Sequence, residues 1–168
     1  MSVSLECAAL ALLVFAALHD LAVRTVPNYA SALLVVFGVT IRGGDHNLLP
    51  ALVVALVMFI LLFAVWALGL MGGGDVKLWA ASVLLIPPTM RMEFTFLGDV
   101  VMFGGALAVL YLLLSLAVGK PVASRAGSYF RRFLRVERWR IRRRASLPYA
   151  CAIAGGALAV ILPQILKQ

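Results

Sequence analysis

Residues 48–77 read LLPALVVALVMFILLFAVWALGLMGGGDVK: an unbroken apolar run, three glycines, then Asp75 and, two residues on, Lys77. The run 48–70 has 23 residues and no charge, enough for a helix to cross a hydrocarbon core about 30 Å thick at about 1.5 Å per residue. A carboxylate beside such a run is costly: at the centre of a bilayer helix it opposes insertion by about 2.5–3.5 kcal/mol. Asp75 therefore requires a polar cavity or a function. The same tension recurs at Asp20, near the end of the apolar run 5–23. Two such acids in one chain are read as a catalytic pair.

The rest of the chain has the same character. Of its 168 residues 64% are apolar and 13% charged, and the mean hydropathy of +1.04 lies far from that of a soluble globular domain. Apolar runs at 5–23, 29–41, 48–70, 76–86, 97–118 and 148–166 predict an all-α, polytopic integral membrane protein of about six transmembrane helices. They fill one domain, 1–168. The run 76–86 is short, rising only about 16 Å if helical, so the bilayer must thin there or the segment must tilt or re-enter.

Several chemistries are excluded early. Cys7 and Cys151 stand in different apolar runs and form no CxxC pair, and His19 and His46 lack the HExxH spacing of a zinc protease. No metal and no cofactor is indicated. No GxSG segment occurs, which disfavours a rhomboid-like serine protease. Glu6 is the sole charged residue before His19, whereas a secretory signal opens on positive charge; the first run is expected to be an uncleaved span.

Orientation follows from the basic residues. The segment 120–147 carries ten of them and one acid, Glu137, which makes it a cytoplasmic loop by the positive-inside rule. Counting back over six spans puts Arg24 and Lys77 on the same side, giving 12 basic residues inside and leaving Arg42, Arg91 and Lys167 outside. Both termini are then extracytoplasmic. Asp20 closes the first span and Asp75 opens the fourth, each at the cytoplasmic end, so the two acids can meet. Within the basic loop Phe130, Phe133 and Leu134 share one helical face, which suits a segment lying on anionic lipid at about 1 kcal/mol per basic residue better than one binding nucleic acid.

Each site residue also has a plainer reading. Asp75 could cap the helix that begins beside it, with Gly72, Gly73 and Gly74 as a tight connection; the functional alternative is that the glycines supply positive φ and room for an extended peptide. Asp20 could pair with Arg24 four residues on. Asn28 could cap the second span or hydrogen-bond a substrate, and Lys77 could snorkel to the surface or line the cleft. Trp66 and Trp79 are read as lipid or helix contacts.

Taken together, Gly72-Gly73-Gly74-Asp75-Val76-Lys77 resembles the GxGDxK segment of the type IV prepilin peptidases, which are intramembrane aspartic proteases. Asp20 followed by Pro27-Asn28 resembles that family's first aspartate with its downstream Pro-Asn. The resemblance covers nearly the whole chain and is weakest after Leu97. It implies catalytic Asp20 and Asp75, and an inner-membrane enzyme that removes the leader from prepilins or pseudopilins at the cytoplasmic face. It also implies a small residue, usually Gly, before the cut. The larger members' N-terminal CxxC domain is absent, so methyl transfer is not implied, and the chain is more similar to the short, peptidase-only members associated with Flp-type (tight adherence) pili. Helix polarity favours Asp75 as the resting anion, at a helix N-terminus, and Asp20 as the protonated partner. The competing classes are a proton- or ion-coupled transporter, disfavoured because the Gly-Gly-Gly-Asp segment has no second copy, and a non-enzymatic pilus assembly scaffold.

Overall fold

The computed structural model describes residues 2–117 and 147–167. The basic 120–147 loop, except Leu147, and the expectation that it lies on lipid fall outside the described residues. Those residues form six helices and no strand: α1 Ser2–Val23, α2 Asn28–Gly44, α3 Leu48–Ala67, α4 Gly73–Val83, α5 Met90–Ala117 and α6 Tyr149–Ile165.

The chain divides into two compact units, Met1–Gly104 with Pro148–Gln168, and Gly105–Leu147. In the second, the described part is the latter half of α5, where Leu110, Leu112, Leu113 and Leu116 are exposed. In the first, the shortest helix is the core. Every residue from Leu78 to Ile86 is buried, and α4 packs against α2, α3 and α6. The α1–α6 contact is lined by small residues, among them Ala9, Ala16, Ala17, Ala150, Ala154 and Ala157, all buried. Small side chains let helix backbones approach where lipid offers no hydrophobic drive to associate. α3 is the opposite case: Ala51, Ala55 and Leu62 are buried while Leu52, Leu56, Phe59, Ile60 and Leu61 face outward. An apolar helix exposed along its length suits hydrocarbon as its solvent.

Three helical stretches are long and apolar enough to cross a membrane, Val3–Val23, Leu48–Ala67 and Met90–Leu116. α2, α4 and α6, at 17, 11 and 17 residues, are shorter than a full crossing. The helices match the expected runs in order and differ at their ends. α5 starts seven residues before the run 97–118, because a run of apolar residues stops at Arg91 and Glu93 whereas a helix does not: Thr89 accepts from the Glu93 N–H at 3.0 Å through its carbonyl and from the Met92 N–H at 3.4 Å through its hydroxyl. α2 likewise runs past Ile41, carrying Arg42 into its last turn, where it is buried rather than looped out.

Candidate active site

Asp20 continues the buried stripe of α1. Ala9, Leu13, Ala16 and Ala17 are spaced three or four apart, and Asp20 lies on the same face, 5% exposed, so it points into the bundle. The helix ends one turn later, where the Arg24 N–H donates to the Asp20 carbonyl at 2.7 Å and Arg24 turns to φ 63°.

Asp75 sits in the first turn of α4, half-buried. Gly72 is the N-cap, in extended conformation at φ −72°, ψ 141°, so Asp75 does not cap the helix itself. Its carboxylate folds back on Gly72, whose N–H it accepts. This is one half of a capping box. Asp75 lies in the first turn of α4, whereas Asp20 lies within the crossing stretch Val3–Val23. The charge of Asp20 acts on Asp75, so two acids from separate helices are within electrostatic reach.

The glycines act through space, not through φ. Gly73 and Gly74 are helical, and the glycine with positive φ is Gly69, at 73°, where the turn after α3 is made. A Cβ on Gly72 would stand 2.9 Å from Asp75 Oδ2, one on Gly73 3.2 Å from Trp66 Nε1, and one on Gly74 3.2 Å from Val26 Cβ. Gly73 and Gly74 thus admit Trp66 and Val26 of the same chain, and the expected left-handed turn at the three glycines does not occur.

Asn28 and Lys77 meet: Lys77 Nζ donates to Asn28 Oδ1 at 3.3 Å on the surface. Pro27 is the N-cap of α2 and no side chain caps that helix, so Asn28 does not take the capping role. With Ser31 the pair forms the polar part of a groove of about 480 Å³ between α2, α3 and α4, lined further on by Leu52, Leu56, Phe59 and Leu84. Lys77 is two residues from Asp75 on α4, about 200° around the helix, and neither acid lines the groove. Trp79 is a helix contact, stacked on Tyr149 at 6.0 Å, and Trp66 lies tilted against Phe63 of its own helix at 5.1 Å.

Among the described residues no group of three His, Cys, Asp or Glu side chains is placed to hold a metal ion. The polar residue that composition and motif overlooked is Arg42, buried at the C-terminal end of α4. Its only sequence signal was a cation directly after an apolar run.

Comparison with curated proteins and with solved structures gives no significant match to either. The model of the type IV leader peptidase family does match, over residues 7–116, a stretch that holds both acids, the three glycines and nearly all of α1–α5. A match of that extent means that the chain belongs to the type IV leader peptidase family, a family of peptidases.

Proposed function

We propose that this membrane peptidase is an intramembrane aspartic endopeptidase that cuts the short, positively charged leader from type IV, Flp-like prepilins or pseudopilins. It does so at the cytoplasmic face of the bacterial inner membrane, with Asp20 and Asp75 as its catalytic residues. The observation that carries this reading is the electrostatic contact of buried Asp20 on α1 with half-buried Asp75 on α4.

The chemistry follows from their mutual repulsion. Two neighbouring carboxyls do not both ionise readily, so the pair holds one proton between them. The ionised member takes a proton from a bound water as that water attacks the scissile carbonyl. The protonated member gives its proton to the carbonyl oxygen. Collapse of the tetrahedral intermediate expels the amine, which takes up the proton gained by the base, while a hydroxyl of the diol returns its proton to the other carboxylate as the carbonyl re-forms. The pair titrates as a unit, so either acid can start as the base. Gly72 leaves the Asp75 carboxyl uncovered, Gly73 and Gly74 let Trp66 and Val26 close against the turn and so shape the substrate slot, and Asn28 and Lys77 border the substrate path.

In this reading residues 1–168 form one transmembrane domain crossing six times. The basic 120–147 loop is cytoplasmic and bound to anionic lipid, and both termini are extracytoplasmic. The shorter α2, α4 and α6 cross where the bilayer is thinned. The test is co-expression with a tagged prepilin, read as a mobility shift. Wild type is expected to process it, and Asp20→Ala and Asp75→Ala to leave it intact. Full processing by both variants overturns the reading and leaves a non-enzymatic scaffold.

A further inference from the structure

A guanidinium that the proposed chemistry does not use lies where α4 ends, at the opposite end of that helix from Asp75. Arg42, on the last turn of α2, is 4% exposed. Its Nη2 donates to the Leu85 carbonyl at 2.9 Å, its Nε to the Leu84 carbonyl at 3.3 Å, and its Nη1 to Asp45 Oδ2 at 2.9 Å. The last carbonyls of a helix have no partner within it, and a cation there both satisfies them and complements the negative end of the dipole. Steric fit adds to this. Gly38, one turn before Arg42, admits Leu84 so closely that a Cβ would stand 2.5 Å from Leu84 Cβ.

The neighbours of Arg42 come from three helices. Asp45, Glu6 of α1 and Glu93 of α5 are the acidic charges acting on it, and Glu6 Oε2 and Glu93 Oε1 are buried without a hydrogen-bond partner. At its other end α4 is tied to α2 again, through Lys77 and Asn28. Asp75 stands eight residues before Val83, the last residue of α4, about 12 Å along a stiff helix, and Leu84 and Leu85 follow directly, so a shift or rotation of the clamped end is carried to Asp75.

We propose that Arg42 is a positioning residue: by clamping the terminal carbonyls of α4 onto α2, it sets the depth and rotation at which the helix presents Asp75 to Asp20. The inference rests on the aspartic peptidase reading. A clamp of this kind differs from a buried ion pair that only stabilises the fold. Removing the clamp displaces one acid from the other, whereas removing a merely stabilising pair lowers the fraction of folded enzyme and leaves the chemistry of the remainder alone.

The experiment compares wild type, Arg42→Gln and Arg42→Lys as purified full-length protein in detergent. Cleavage of a prepilin is measured per folded molecule across pH. A misplacement of about 1 Å costs about a hundredfold in rate, so Arg42→Gln is expected to lose up to that in kcat with KM little changed. Asp20 of α1 is the charge that acts on Asp75, and withdrawal from it moves the alkaline limb of the pH–rate profile to lower pH. Lysine keeps the charge but not the fork that reaches two carbonyls, so Arg42→Lys falls between the two. Should Arg42→Gln not fold, the same two readouts on Arg42→Lys decide. Wild-type kcat per folded molecule, or a loss of amplitude with the limb unmoved, overturns the proposal and leaves the peptidase reading standing. Absence of cleavage by wild type removes that reading instead.

Discussion

Asp20 and Asp75 are expected to share one proton, because two neighbouring carboxyls do not both ionise readily. Wild type is expected to show a protonated-carboxyl infrared band at mildly acidic pH that is lost or shifted in Asp20→Asn or in Asp75→Asn, and the variant in which it is lost identifies the acid that holds the proton. A band unchanged in both variants would show that the two acids share none. Both acids were legible in the sequence because a charge stands out in an apolar run. Arg42 was not. Its partners, the Leu84 and Leu85 carbonyls, lie 42 and 43 residues away and carry no side-chain label.

At the level of elements, the helices were legible in number, order and approximate span, since lipid demands long apolar runs bounded by charge, Gly or Pro. Their ends were not, because hydrogen bonding carries a helix through Arg42, Arg91 and Glu93, where hydropathy stops. The glycines illustrate the same limit. Gly costs about 1 kcal/mol relative to Ala inside a helix, so a triple glycine reads as a turn. Here Val26 and Trp66 occupy the space a side chain would need, and packing overrides propensity at Gly73 and Gly74. Two glycines of α2 separate these effects. Gly38→Ala forces Leu84 away and is expected to destabilise by about 1–3 kcal/mol. At Gly43 an added Cβ meets nothing within 4 Å, so Gly43→Ala is expected to stabilise by about 0.4–1 kcal/mol. Denaturation of the two variants side by side checks this, and equal effects would refute the close α2–α4 contact.

For the whole molecule, membrane residence follows from composition and from the three long apolar helices, while sidedness depends on charge that the helices do not carry. The asymmetry of 12 basic residues against three predicts that single cysteines introduced in 120–147 react only with reagents that reach the cytoplasm. Cysteines placed beside Ser2 and Lys167 should react from outside. Labelling of the basic segment from outside would invert the protein and move Asp20 and Asp75 to the wrong face. The architecture also places the shortest helix as the most buried: α4 is enclosed by α2, α3 and α6, and it carries Asp75 within electrostatic reach of Asp20 on α1. Residues acting as a single catalytic unit show strongly non-additive losses. The decisive measurement is therefore the rate of prepilin cleavage by purified wild type, Asp20→Asn, Asp75→Asn and the double variant. Each single substitution is expected to reduce kcat by about 10³-fold or more, and the double variant to be no worse than either. Activity within about tenfold of wild type in either single variant, or losses that multiply in the double, would contradict a shared catalytic pair.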